Sequence, residues 1–194
     1  DFSHTAVTQY SKSSAKKLVD QLSKYKDITF EAHSTDYQQT TGLANLVADH
    51  HLFLKVGPEL TFALREALFL LSKIEDELFK DKASNLIQVV FKTMDNNPKD
   101  WINYYHGSSD EQQFLKHYSY SDRIRYYWDH PDVDSAINKM IKNLDNVDIP
   151  EFVISQFFGI ATNEQNNETA RSLINSRIQY VVGRYYNACG LAKW

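Results

Sequence analysis

Cysteine is nearly absent from this chain of 194 residues: Cys189 stands alone. No internal disulfide can form, which fits a reducing cytoplasm. No stretch of apolar residues is long enough to cross a bilayer as a helix. The first residues, DFSHTAV, have neither the basic start nor the apolar core of a secretion signal. An excess of positive charge is also missing. The formal net charge is −4 and no basic stripe recurs, which argues against nucleic acid as a partner. There is no repeat period and no low-complexity tract. Asn167-Glu168-Thr169 matches the glycosylation pattern, but without a secretion signal it carries little weight.

What is present is a core-forming composition, 42% hydrophobic, so a folded chain is expected. The pattern centres on Leu52 to Leu68. A short apolar run from Leu52 to Val56, interrupted only by Lys55, is stopped by Gly57 and Pro58. From Pro58, Leu60, Leu64, Ala67, Leu68, Leu71 and Ile74 recur at helical spacing. This reads as strand, turn and long helix, with proline at the first helical position. Upstream, Phe2 reads as the end of a strand, and Ser14 to Tyr25 as a helix. Ile28 to Ala32 is a second short strand, and Thr41 to His51 a second helix. The alternation predicts βα units on a parallel sheet.

Beyond Lys80 the pattern is helical only. Helices are expected over Ser84 to Met94, over Val133 to Leu144, from Pro150, and over Thr169 to Cys189. Pro98 opens a short helix, and His106 to Asp110 reads as a Gly/Ser loop. Phe62 and Phe69 give the long helix a second apolar side, so it should be covered on two sides, by the sheet and by the helical tail. Three βα units cannot close a parallel sheet, so further strands are expected upstream of Asp1.

Three long motifs carry a resemblance: EAHSTDYQ (Glu31 to Gln38), LKVGPELTFALREALF (Leu54 to Phe69) and YSYSDRIRYYW (Tyr118 to Trp128). With them, the chain resembles the non-catalytic subunit family of D-tagatose-1,6-bisphosphate aldolase, from Phe2-Ser3-His4 to near Cys189. The resemblance implies an α/β fold. Residues 1–80 would form the last βα units of an aldolase-type TIM barrel, and residues 81–194 a helical C-terminal extension packed on it. It implies a match to about the C-terminal half of a family member. It further implies a partner, a separate zinc-dependent class II aldolase subunit, whose activity and stability this subunit supports in the breakdown of tagatose and galactitol-type sugars.

Candidate site residues lie at the strand ends, where barrels keep their sites. His4 and His33 could hold a divalent metal such as zinc, to polarise a sugar carbonyl, or be hydrogen-bonded structural histidines. In the catalytic relatives the equivalent histidines are followed by glycines that admit a phosphate, whereas Thr5 and Ser34 follow here. Asp36 or the upstream half would supply a third ligand. Ser34 and Asp36 are candidates for contact with a sugar phosphate. Lys55 could contact a phosphate or pair with Glu31. Gly57 opens a helix N-terminus suited to an anion, or is simply a tight turn. Arg123 and Arg125 could grip a phosphate, or serve packing or a subunit contact together with Tyr126, Tyr127 and Trp128. His50 is expected in the core, and Cys189 at least half-buried. A second functional reading is a stand-alone metal-dependent sugar-phosphate epimerase or isomerase built on His4 and His33.

Overall fold

A computed structural model describes residues 1–22, 24–159 and 169–191. Asn167 and Glu168 of the glycosylation pattern therefore lie outside the described residues. Helix α1 (Lys12–Leu22) leads to strand β1 (Phe30–Ala32), helix α2 (Thr40–Ala48) and strand β2 (His51–Leu54). The long helix α3 (Glu59–Phe79) follows, then α4 (Leu86–Asn96), α5 (Ser109–Tyr118), α6 (Pro131–Leu144), α7 (Glu151–Phe158) and α8 (Ala170–Ala188). The fold is α/β and mostly helical. Its strands β1 and β2 run parallel, pairing Phe30 with His51 and Ala32 with Leu54. Backbone bonds from Lys55 N–H to Ala32 O (2.8 Å) and from Thr35 N–H to Lys55 O (3.0 Å) carry the pairing past the strand ends. Phe2 does not join this sheet. It bridges antiparallel to Val7, so the expected strand end at the N-terminus is a small reversal of the chain.

Helix α3 organises the packing. Its principal neighbours are α4, α6, α7 and α8. Leu68, Leu71 and Ile74 join Leu86, Val90, Met94, Ile124, Val133, Met140, Leu144 and Leu173 in one buried cluster. The second apolar side behaves as its two phenylalanines predict. Phe62 meets the edge of Tyr37 and stacks with Tyr120, while Phe69 contacts Phe91 and Trp128. A buried carboxylate ties the lower part of α3 to its neighbours. Glu75 accepts from Ser84 N–H (2.9 Å), Ser84 Oγ (2.5 Å) and Asn143 Nδ2 (2.6 Å).

Three local readings differ from the structure. Ser109 to Tyr118 is a helix, announced by a capping box: Ser108 Oγ accepts from Glu111 N–H, and Glu111 accepts from Ser108 N–H. That Ser-x-x-Glu signal was legible, but the neighbouring Gly107 and Ser108 suggested a loop. Helix α2 stops at Ala48, and His50 turns the chain at φ +67°. The buried histidine is therefore His51, with Nδ1 3.1 Å from Leu46 O, and His50 is exposed. Cys189 caps α8 and is exposed, because the helix ends one residue before it.

His117 stacks on Phe91 with ring centroids 3.7 Å apart. Burial, and then the charges of Arg65 and Lys116, hold its imidazole below the ordinary value of 6.5. Below 6.5 the unfolded chain takes up this proton before the folded one does, so stability is lost on acidification. Melting temperatures followed from about pH 7.5 to about pH 5 should fall on the acid side, and His117→Phe should flatten that fall. An unchanged slope in the variant would remove His117 from the account.

Candidate functional site at the strand ends

The segments after β1 and β2 come together at the start of α3. They share a cavity of about 240 Å³ lined by Phe2, His33, Ser34, Asp36, Lys55, Val56, Gly57 and Pro58. Five of the sequence candidates thus meet in one place: His33, Ser34, Asp36, Lys55 and Gly57. The loop that carries the first three is unusual in its backbone. Ser34 and Tyr37 both adopt left-handed conformations, φ 54° and 61°, which side-chain-bearing residues seldom hold without support from their surroundings.

Asp36 is the centre of this arrangement. Its Oδ1 accepts from Gly57 N–H (2.7 Å) and Glu59 N–H (3.0 Å). The turn that sequence reasoning reserved for an anion therefore already holds one, supplied by the chain itself. Asp36 is fully buried, and its Oδ2 accepts no hydrogen bond among the described residues. Burial pushes its carboxyl above the ordinary range and the Glu59 carboxylate adds to that push, against the pull of the two amides.

Glu59 forms the second layer. It is 4% exposed. Its Oε2 accepts from Tyr37 N–H (2.8 Å) and Tyr185 OH (3.0 Å), and its Oε1 lies 2.7 Å from Arg184 Nη1. Arg184 also donates to Gln38 O, and Tyr185 OH lies 3.0 Å from Thr35 O. Two adjacent residues of α8 thus fasten the β1 loop to the first turn of α3. Burial, above all, raises the Tyr185 hydroxyl, so it remains a donor. No local signal near Glu59 announces Arg184, which lies 125 residues away in sequence.

At the cavity mouth, Glu31 Oε1 receives both Lys55 Nζ (2.6 Å) and His33 Nε2 (2.5 Å). These two partners hold the Glu31 carboxylate below its ordinary range. Lys55 forms the ion pair with Glu31 that the sequence suggested, but both side chains are exposed, so the charge is not a buried one. His4 is placed differently. Its Nδ1 is 3.0 Å from Ser121 Oγ, and its ring meets the edge of Tyr105. Each imidazole thus has one ring nitrogen engaged, His4 by Ser121 and His33 by Glu31. Among the described residues no group of three or more His, Cys, Asp and Glu side chains is placed to hold a metal ion.

Arg123 and Arg125 lie outside the cavity, beside the Ser121 that His4 contacts. Arg123 donates to Asp100 O and stacks 3.3 Å over Tyr104. Arg125 donates to Ser121 O and Tyr126 OH. Each guanidinium thus has at least one carbonyl and one aromatic ring as neighbours. Asp122, between them in sequence, turns inward in a left-handed conformation. Its Oδ1 lies 3.1 Å from Arg65 Nε and its Oδ2 accepts from Thr61 Oγ1 (2.7 Å).

The fold and site define a class: an α/β protein with an internally capped strand-end cavity, whose loops are fastened by a C-terminal helix. The model of the family described as "D-tagatose-1,6-bisphosphate aldolase subunit GatZ/KbaZ-like" matches residues 1–190, and the chain belongs to that family. A solved structure described as a probable tagatose 6 phosphate kinase from Sinorhizobium meliloti 1021 is similar to it, with 43% sequence identity and a TM-score of 0.92. The match covers 97% of this chain and 50% of that one, so the chain spans half the length of that relative.

The Arg65–Asp122 contact offers a direct stability test. The two side chains are 3% and 0% exposed. Removing one partner of a buried pair strands the other charge, at a cost of about 3–5 kcal/mol. Denaturant unfolding of Arg65→Met should show a loss of that order, and Arg65→Met combined with Asp122→Asn should recover much of it.

Proposed function

We propose that this chain is part of a non-catalytic subunit of a tagatose-bisphosphate aldolase. In this reading β1 and β2 belong to an aldolase-type TIM barrel, residues 1–80 contribute its last βα units, and residues 81–194 are its helical extension. The parallel pairing of β1 and β2 supports the barrel. So does the exposed apolar surface around the strands, where Leu52 is 68% and Phe53 60% exposed, beside Leu18, Tyr25 and Ile28. Surface of this kind is ordinarily covered.

The subunit supports a separate catalytic class II aldolase, which carries the zinc and splits the ketose bisphosphate. No helix among the described residues is long and apolar enough to cross a membrane. The exposed free thiol of Cys189 suits a reducing cytoplasm, where we place the complex.

One observation carries the supporting role: most of the polar groups gathered at the strand ends already hold one another. Asp36 caps α3, and His33 and Lys55 share Glu31. A catalyst needs a group left ready for substrate, within reach of the proton or atom it acts on. Here Ser34 is the remaining polar candidate for a sugar phosphate, and the matched groups serve architecture. Co-expression of the full-length protein with a class II catalytic subunit should raise that subunit's cleavage activity or its half-life at growth temperature. A catalytic subunit equally active and equally long-lived without it would sink the proposal.

A further inference from the structure

Outside the strand-end cavity, two tyrosines and two arginines alternate on the surface. The Arg123 guanidinium lies 3.3 Å from the ring centroid of Tyr104 and 5.2 Å from that of Tyr126. The Arg125 guanidinium lies 4.4 Å from the Tyr126 ring centroid. The segment is anchored from beneath, since Asp122, Ile124 and Tyr127 are buried. Tyr104 and Tyr126 are left 47% and 46% exposed, and the two arginines are half-buried beside them.

These cations lack a counter-charge. Neither guanidinium forms an ion pair with a carboxylate among the described residues. Asp122, between them in sequence, is turned inward to Arg65 and Thr61, and Asp100 meets Arg123 through its carbonyl. Arg123 donates from Nε alone. Its Nη1 and Nη2 take no acceptor among the described residues, and both keep contact with solvent. A guanidinium stays charged and carries five donors in a planar fork that matches a carboxylate. The rings and carbonyls already hold both side chains in place, so little rotamer freedom is left to lose on binding.

The shape favours a protein over a small anion. The strand-end cavity is lined by neither arginine, and the donors stand among exposed rings. Arginine and tyrosine side by side are the usual anchors of a protein interface. The position suits a partner as well. Tyr120 N–H donates to His4 O (2.9 Å) and Tyr37 OH to Tyr120 O (2.6 Å), so the patch is stitched to the strand-end loops.

We infer that the Tyr104–Arg123–Tyr126–Arg125 ladder is a docking surface for the catalytic class II subunit, which presents carboxylates to it. The demand for carboxylates rests on the geometry. The choice of the catalytic subunit as their bearer rests on the subunit role proposed above.

The test measures, by calorimetry, the affinity of the full-length protein for a class II catalytic subunit. The wild type should bind, more weakly as salt is raised. Arg123→Gln combined with Arg125→Gln keeps side-chain donors but removes both charges, and should weaken binding at least about tenfold. Tyr126→Glu leaves both arginines in place and sets a carboxylate beside them, at an exposed position where a substitution costs little stability. It should show the same loss with an unchanged melting temperature. Either variant, folded and binding as tightly as the wild type, would overturn the surface and leave the subunit reading standing. Self-association of the wild type that Tyr126→Glu abolishes would assign the surface to a second copy and overturn the inference. So would inorganic phosphate that displaces the subunit where chloride of equal ionic strength does not. A wild-type protein that does not bind the catalytic subunit would remove the subunit reading and this surface with it.

Discussion

Two carboxylates, Asp36 and Glu59, are buried side by side where α3 begins, and Arg184 is set against the second of them. Arg184 reaches from α8 to Glu59 at 2.7 Å. Its other nitrogen holds the Gln38 carbonyl. Buried charges cost several kcal/mol each unless paired and hydrogen-bonded. Here the debt is met in three ways at once. The α3 amides take Asp36 Oδ1, Arg184 takes Glu59 Oε1, and Tyr185 and Tyr37 N–H take Glu59 Oε2. The left-handed Ser34 and Tyr37 persist because this network fixes the loop between them.

The same device recurs nearly two turns further along α3. Arg65 pairs with Asp122, donates to His117 O and lies over the Phe62 ring. The Tyr120 segment is thereby held against Tyr37, whose hydroxyl donates to Tyr120 O at 2.6 Å. The helical region is therefore more than a cover on α3. It reaches the strand-end loops through α8 on one side and through residues 117–122 on the other. A buried ion pair contributes less net stability than a well-packed apolar contact, so its value here is geometric. It sets where the β1 loop, and hence Asp36, must lie.

Much of this was legible in local patterns. The apolar stripe of α3, the Gly57-Pro58 stop and the alternation of strands with helices each follow from spacing within a few residues, and the structure has them. The cluster of His33, Ser34, Asp36, Lys55 and Gly57 was also foreseeable, because parallel strands place their C-terminal ends on one edge. What was not legible is what those residues do to one another. That Asp36 faces the amides of Gly57 and Glu59 depends on a loop with two left-handed residues, and no pattern announces those. Arg184 stands on a helix of low amphipathicity, far along the chain from its partner. The exchange of His50 for His51 in the core turned on where the helix ends, since α2 stops at Ala48 instead of running to His51 and the strand period then takes over.

The central claim is that α8 fixes the strand-end loops through the Glu59–Arg184 contact. A double-mutant cycle on Glu59→Gln and Arg184→Met, read by denaturant unfolding, tests it most directly. The account predicts a coupling of roughly 1–3 kcal/mol, within the range for contacting residues of one network, together with faster amide exchange at Gly57 and Glu59 in either single variant. Additive single effects and unchanged exchange at those amides would contradict it.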